Sequence, residues 1–209
     1  IMAKDKKTMA IDMEKMRAKL ASLKGEGSNG NSAFWKPNEG TQDIRIVPTQ
    51  DGDPLKEMWF HYNLGKNRGF LCPKKNYGDD CPVCNFVRAL YDEGTEDSVK
   101  MAKSLTARQR FFSPVLVRGE EKQGVRIWGY GKTAYETLLT LVLNPDYGDI
   151  TDPTTGRDIK VVCSKQPGKK WAMTEVRPRG KESNLSSDSN QASNWLNNIP
   201  SLDDIYKCK

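Results

Sequence analysis

The chain is organised around residues 61–84, which read HYNLGKNRGFLCPKKNYGDDCPVC. His61 is the only histidine among the 209 residues, and Cys72, Cys81 and Cys84 follow it in this stretch. The two-residue gap between Cys81 and Cys84 lets one tight turn present two thiolates to one ion. One imidazole nitrogen and three sulfurs complete a tetrahedral ligand set, and such soft ligands favour zinc over magnesium or calcium. The stretch therefore predicts one structural Zn2+ site.

The same ligand set argues against an enzyme. Catalytic zinc usually keeps one position open for water, whereas four protein ligands close the site. Zinc deaminases need a Glu two residues after the His and a Pro before the first paired Cys. Asn63 and Asp80 stand at those positions instead. Two alternatives stay open: a zinc-dependent nuclease, with only Asp79 and Asp80 as nearby acids, and unrelated cysteines beside an ordinary histidine.

The bulk composition indicates a polar, basic protein with a modest core. The chain has a mass of 23.6 kDa, a net charge of +6, a pI near 9.0 and a mean hydropathy of −0.72. This charge favours an anionic partner. No apolar run approaches the roughly 18 residues of a membrane span, and no secretory leader is recognised. Five cysteines, of which three are assigned to metal, indicate a reducing cytoplasm.

The N-terminal region differs in composition from the rest of the chain. Residues 4–24 are rich in charge and carry a Met/Leu stripe at helical spacing, which predicts an amphipathic helix. Glycine and serine dominate residues 25–32, which predicts a flexible linker. We therefore divide the chain into a basic arm (1–24), a linker (25–32) and a core (33–209). The stripe must pack either on its own core or on a partner. Its members are Met9, Met13, Met16, Leu20 and Leu23.

The core shows short alternating segments separated by turn residues, which is typical of β structure. The predicted strands are residues 43–47, 58–61, 110–118, 125–130, 159–163 and 171–176. Helical spacing appears only at residues 84–91 and 133–143, and residues 181–194 are predicted to form a long loop. We therefore expect a mainly β fold with a few helices, as a small barrel or sandwich.

Basic and aromatic residues alternate through residues 101–132. Cations can follow phosphates, and flat side chains can stack on unpaired bases, so this mixture favours single-stranded nucleic acid. Arg126, Trp128 and Tyr130 share strand parity, and we expect them on one exposed face. The alternative is that the aromatics are core and the charges a solvated rim. The other candidates in this run are Arg108, Arg110, Phe111, Phe112 and Lys132.

A second basic run lies nearer the C-terminus. Its centre reads Arg177-Pro178-Arg179-Gly180-Lys181, which predicts a loop. Such a loop can clamp a phosphate backbone, or it can be an ordinary solvated turn, and the sequence favours neither. Arg177 and Arg179 are therefore further candidate contacts for nucleic acid.

Several segments, in order, resemble the single-stranded DNA-binding (helix-destabilising) proteins of T-even-like bacteriophages. The resemblance covers about residues 33–209, and the spacing of the histidine and the cysteines is its most specific part. The matching pieces are Asp43-Ile44-Arg45-Ile46-Val47-Pro48, the His61/Cys72/Cys81/Cys84 set, Leu90-Tyr91, Phe111-Phe112 before Val115-Leu116-Val117, Trp128-Gly129-Tyr130-Gly131-Lys132, and Ile199-Pro200-Ser201-Leu202-Asp203-Asp204.

The resemblance implies an OB-fold core with an inserted zinc subdomain, about residues 59–97, and a DNA groove between them. Aromatic groove positions fall on Tyr91, Phe111, Phe112, Trp128 and Tyr130. Basic groove positions fall on Arg45, Arg108, Arg110 and Lys132. The family's aromatics near residues 177–186 are missing here, and basic residues replace them.

The resemblance also implies cooperative self-association along DNA through the N-terminal arm. The matching residues are Lys4, Lys6, Lys7 and Thr8, although Asp5 interrupts the basic run. An acidic C-terminal tail would recruit phage replication and recombination proteins, and this sequence does not contain one. The expected location is the cytoplasm of the infected bacterial host.

We therefore expect a non-enzymatic protein that binds single-stranded DNA cooperatively and without sequence preference in replication, recombination and repair. The main alternative is a zinc-containing adaptor that binds other proteins. An adaptor would have no affinity for oligonucleotides and would bury Trp128. The sequence leaves the preference between DNA and RNA open.

Overall fold

The structure is a computed structural model that describes residues 33–65, 69–165, 167–168 and 172–206. Residues from Ala33 onward form one compact unit. The predicted arm and linker, including Lys4, Lys6, Lys7 and Thr8, lie outside the described residues. None of the helices in the described part is long and apolar enough to cross a membrane.

The described chain forms a mixed α/β structure built on one eight-stranded sheet. The sheet runs in the order β1-β6-β5-β2-β7-β8, and β3 and β4 branch from β5. The strands are β1 (Phe34–Trp35), β2 (Gly40–Ile46), β3 (Lys56–His61), β4 (Phe70–Leu71), β5 (Arg108–Val117), β6 (Arg126–Tyr130), β7 (Arg157–Ser164) and β8 (Met173–Glu182). Within the described residues the sheet is not closed, so a closed barrel is not observed.

Strand β5 is the centre of the sheet because it pairs with three strands. One edge pairs with β6 through residues 111–115. The other edge pairs first with β3, through residues 108–112, and then with β2, through residues 115–117. The chain between β3 and β5 is therefore inserted beside the sheet; it carries the three cysteines, and His61 is the last residue of β3 before it.

In the described residues, six α-helices accompany the sheet, more than the few that the sequence predicts. They are α1 (Pro73–Tyr77), α2 (Pro82–Glu93), α3 (Glu96–Leu105), α4 (Lys132–Leu143), α5 (Ser189–Asn197) and α6 (Leu202–Tyr206), with a short 3-10 helix at Glu121–Gln123. Helices α2 and α3 pack on each other through their own small core. Helix α4 covers the main core of the sheet, α5 covers a second cluster and α6 a third.

Period-two alternation buries one face of the sheet under α4. In β7, Ile159, Val161 and Cys163 are buried, whereas the residues between them are partly exposed. Helix α4 presents Ala134 and Leu138 to this face. At roughly 25 cal/mol per Å2 of apolar surface, burial of such side chains is the main stabilising term of the fold.

Two helices and one strand lie where the sequence predicts a loop or no regular element. Helix α3 begins at Glu96, outside the segments with predicted helical spacing, and the Thr95 side chain caps it by accepting from the Ser98 N–H. Helix α5 begins in the predicted loop at 181–194, and Asp188 caps it. Strand β8 continues through Arg177–Lys181, which had been predicted as a loop. Local caps and pairing with β7 decide these segments against their polar composition.

Candidate metal centre and nucleic-acid interface

A hairpin brings the first two ligands of the candidate metal centre together. Strands β3 and β4 pair antiparallel, with His61 opposite Phe70 and Phe60 opposite Leu71. The pairing continues one step further, because the Cys72 N–H donates to the Trp59 carbonyl oxygen at 2.8 Å. The hairpin therefore closes the long sequence gap between His61 and Cys72.

Cys72 and Cys81 each stand immediately before a helix whose first residue is a proline. Both have extended backbone conformations at the N-cap positions of α1 and α2. Proline suits the first helical position, because its fixed φ is helical and its missing N–H would have no partner there. Cys84 follows one turn after Cys81 on α2. The helix starts thus aim three sulfurs toward the end of β3.

The four ligand atoms form a tight group that can hold one metal ion. His61 Nε2 lies 3.4 Å from Cys81 Sγ and 3.5 Å from Cys84 Sγ, and the sulfurs of Cys72 and Cys84 are 3.5 Å apart. All four atoms lie within 4.8 Å of one another. Tetrahedral zinc with bonds of about 2.3 Å to sulfur and 2.0 Å to nitrogen requires about 3.5 Å between nitrogen and sulfur. The predicted grouping is confirmed, and its spacing suits a small tetrahedral ion.

The other ring nitrogen of His61 is also engaged. Nδ1 lies 2.8 Å from the Leu105 carbonyl oxygen at the end of α3, and the ring is buried. A carbonyl only accepts, so this contact places the proton on Nδ1 and leaves the Nε2 lone pair for the metal. Metal-bound histidines usually have such a partner, which fixes the tautomer and the ring orientation.

The thiols differ in their tendency to ionise. Burial opposes ionisation of Cys81, but the backbone N–H groups of Cys84 and Val83 donate to its sulfur and hold the thiol pKa below its usual value. Burial, followed by the neighbouring thiols, raises the pKa of Cys84 to about 12. Three crowded thiolates repel one another, and a bound cation would remove that repulsion. Binding of a metal ion at this site would therefore be coupled to proton release.

The four aromatics predicted on β5 and β6 are core residues, so the expectation that some of them are exposed is wrong. Trp128 is only 1% exposed, and its ring centroid lies 4.4 Å from that of Tyr130. Tyr130 OH pairs with Ser113 Oγ at 2.7 Å, and burial raises the pKa of this tyrosine. Phe111 packs in the same cluster, and Phe112 packs in the cluster under α6. The shared parity was right, but the shared face is the buried one.

Tyr91 behaves differently from these four. It lies on α2 and is 44% exposed. It is therefore the one predicted groove aromatic that this conformation offers to a ligand.

Arg45 is also buried, contrary to its predicted place in a groove. Its Nε donates to Asp158 at 3.0 Å, and its Nη2 donates to the Ser183 carbonyl oxygen at 2.6 Å. Arg118 donates to both oxygens of the same carboxylate, at 3.0 and 3.1 Å. Asp158 therefore joins the two arginines, which in turn fasten the segment after β8 to the sheet through Ser183, Asn184 and Leu185. Burial lowers the pKa of Arg45.

Arg126 is likewise held by local partners instead of facing solvent. It donates to Glu120 Oε2 at 2.5 Å and to Gln123 Oε1 at 2.7 Å, and it is 8% exposed. Both partners lie in the turn between β5 and β6. The expectation that Arg126 lies on an exposed face is therefore wrong.

The other cations predicted to contact nucleic acid are exposed. Arg108 and Arg110 project at alternate positions from the start of β5, and neither has an ion pair within the described part of the chain. Lys132 is exposed and lies 3.5 Å from Glu136. On β8, Arg177 pairs with Glu175 and Arg179 with Asp43, and these contacts raise the pKa of both arginines.

The pairing of β7 with β8 adds two cations that the sequence did not single out as contacts. Lys160 lies opposite Arg177, and both border a shallow hollow of about 380 Å3 with Arg179 and Lys181. Lys181 belongs to the basic run that the sequence shows, whereas Lys160 joins the cluster only through the register of the two strands.

Comparison with known proteins found no family model that matches the chain and no curated protein that matches it.

Proposed function

We propose that this protein binds single-stranded DNA without catalysis and that its His/Cys3 group holds one structural Zn2+. The observation that carries the proposal is the position of that group. It lies at the end of β3 and in the segment between β3 and β5, and this segment leads directly into the exposed Arg108 and Arg110. The sequence resemblance to the phage single-stranded DNA-binding proteins supports the same assignment, with an OB-like role for the sheet.

Zinc would cross-link the inserted segment. The ligands come from β3, from the residue after β4 and from the start of α2, and Leu105 adds a contact from α3. Four protein ligands leave no position for a catalytic water, so the ion would serve stability. The position of α2 and α3 against the sheet would then depend partly on the metal ion.

The proposed nucleic-acid surface is smaller than the sequence predicted. It retains Arg108, Arg110 and Lys132, the exposed Tyr91, and the pair Arg177 and Arg179. The buried set (Arg45, Phe111, Phe112, Arg126, Trp128 and Tyr130) serves as scaffold in this conformation. Exposed cations would contact phosphates, which supplies a salt-dependent affinity with little sequence preference.

Cooperativity and partner recruitment remain part of the proposal. The basic arm, with Lys4, Lys6, Lys7 and Thr8, would contact a neighbouring molecule on the same strand. Binding along exposed strands would serve phage replication, recombination and repair in the host cytoplasm, together with other proteins of those pathways.

The second candidate is a zinc-containing adaptor that binds protein. Burial of Trp128 is what that alternative predicted. Exposed Phe86 and Met101 on the inserted helices would offer it a contact surface. A zinc-dependent nuclease is a weaker candidate, because Asp79 and Asp80 adjoin a site with four protein ligands.

Two measurements test the proposal. Elemental analysis of protein purified under reducing conditions should give one zinc per chain, and chelation or Cys81→Ser should lower both the melting temperature and the DNA affinity. Fluorescence anisotropy should show tighter binding to oligothymidine than to a duplex of equal length, weakening as salt rises. Absence of zinc would remove the metal assignment. Equal affinity for both forms, or none for either, would reject single-strand binding, and no binding at all would favour the adaptor.

A further inference from the structure

We propose that Asn76 is a positioning residue of the metal centre: its side-chain amide holds Cys72 in place before the ion arrives. The inference rests on the proposed metal binding. Asn76 Nδ2 donates to the Cys72 carbonyl oxygen at 2.7 Å and to the Trp59 carbonyl oxygen at 2.9 Å. Its Oδ1 accepts from the Trp59 N–H at 3.0 Å. All three bonds go to backbone groups, two of them on the strand that ends in His61.

The amide of Asn76 extends the pairing along the β3 edge beyond β4. Each strand residue has one N–H and one C=O, and a fully paired neighbouring strand would satisfy both. Trp59 lies one residue beyond the β3–β4 pairs, where the Cys72 N–H bonds to its C=O. At Trp59 the Asn76 amide satisfies both groups, and the Cys72 N–H shares the same carbonyl. The bonds from Asn76 and Cys72 are made at Trp59, two residues before His61 on β3. The same strand therefore positions both Cys72 and His61.

Helix α1 is short, and the Asn76 amide is one of the contacts that hold it against β3. It has five residues and no buried side chain. Isolated helices shorter than about 12 residues are marginal in water, so tertiary contacts must supply the stability. Besides the Asn76 amide, the Lys75 N–H donates to Cys72 Sγ at 3.4 Å and the Lys75 ammonium lies 5.3 Å from the Trp59 ring centroid.

Loss of the amide should therefore loosen Cys72 without removing a ligand. Partners outside the first ligand sphere typically change metal affinity by 10–100-fold, and we expect about 10-fold for Asn76→Ala. Asn76→Asp keeps the acceptor for the Trp59 N–H but sets a carboxylate against two carbonyl oxygens. Its affinity for zinc should be no higher than that of Asn76→Ala.

The test compares wild type, Asn76→Ala, Asn76→Asp and the control Asn198→Ala. Asn198 also uses its side-chain amide for two contacts, but these lie at the end of α5. Zinc affinity is measured by competition with a chromophoric chelator. Co2+ absorption spectra report the ligand geometry, and urea unfolding of the metal-free proteins reports stability.

Lower zinc affinity and an altered Co2+ spectrum in both Asn76 variants, with neither change in Asn198→Ala, would support the positioning role. Equal affinity and an unchanged spectrum, with or without a loss of metal-free stability, would overturn it. If Asn76→Ala does not fold, Asn76→Asp decides by the same criteria; if neither folds without metal, Asn76 acts on the fold in general and the inference is rejected. A wild-type protein that binds no metal would refute the proposed centre itself, and the inference with it.

Discussion

The double substitution Arg108→Ala/Arg110→Ala gives the sharpest test of the proposed nucleic-acid surface. Both arginines project from the start of β5 and are exposed, with no ion pair within the described residues. Arg45 is the opposite case, since its guanidinium is fully buried and bonded to Asp158. Removing Arg108 and Arg110 therefore removes charge that is free to meet phosphates and leaves the network around Arg45 intact.

The expected size of the effect follows from counterion release. Each phosphate contact on a single strand contributes about 0.7 to the slope of log affinity against log salt. Two lost contacts should reduce the slope by about 1.4. Over a four-fold rise in salt, the wild-type protein should then lose about 7-fold more affinity than the variant.

The assay is anisotropy of a labelled oligothymidine at four or more salt concentrations, with urea unfolding as a check on stability. Lys36→Ala/Lys100→Ala is the matched control, because it removes the same charge from two other exposed positions. We expect a smaller change of slope in the control and an unchanged unfolding midpoint in the test variant. An unchanged slope, or an equal change in both double variants, would refute the assignment of these two arginines.

Three further predictions concern the scaffold and the arm. Trp128→Ala should lower the free energy of unfolding in urea by about 3–5 kcal/mol, because the side chain is buried. It should leave the oligonucleotide affinity of folded molecules unchanged, and weaker binding at unchanged stability would show that Trp128 contacts the oligonucleotide. Asp158→Ala should lower the free energy of unfolding by about 3–5 kcal/mol, because buried Arg45 loses the carboxylate that balances its charge. The exposed control Asp92→Ala should be near neutral, and equal effects of the two substitutions would contradict the network. Deletion of residues 1–24 should spare binding to a short oligonucleotide and weaken binding to a long strand, and an equal loss on both lengths would rule out the cooperativity role.

The candidate metal site could be predicted from the sequence because its chemistry is carried by rare residue types. A lone histidine and a Cys81/Cys84 pair restrict the choice of ligands before any fold is known. No sequence pattern shows how His61 meets Cys72, since that depends on pairing between β3 and β4. Asn76 was missed for the same reason: its partners are backbone groups, and no spacing rule marks them.

The alternation of residues in β6 does not determine which face of the strand is buried. Alternation predicts that Arg126, Trp128 and Tyr130 share a face, but it does not say which face is covered. Their burial depends on α4 and on the turn that supplies Glu120 and Gln123. An arginine in a strand usually indicates solvent exposure, whereas Arg126 is buried because Glu120 and Gln123 accept its hydrogen bonds.

Helix α3, which the sequence pattern did not predict, has local helix signals that its polar composition obscures. Helix α3 has Thr95 as its cap, acids in its first turn and a buried stripe of Ser98, Ala102 and Leu105. The acids Glu96 and Asp97 also make the start of the segment polar, which is typical of a solvated surface. Acidic residues at a helix start are favourable because they complement the helix dipole, so these two residues favour the helix.

The distribution of arginines changes what the net charge of this chain means. A charge of +6 favours an anionic partner, but Arg45 and Arg118 converge on the one carboxylate of Asp158, and Arg126 is neutralised by Glu120. Arginine suits such positions because its planar fork satisfies several acceptors at once. Arg108 and Arg110, at the start of β5, are instead exposed, and they follow directly after the α3 terminus whose Leu105 carbonyl accepts from His61. The segment that carries these two free cations is therefore continuous with the segment that positions the candidate metal ligands, which is a physical reason to expect the two properties to depend on each other.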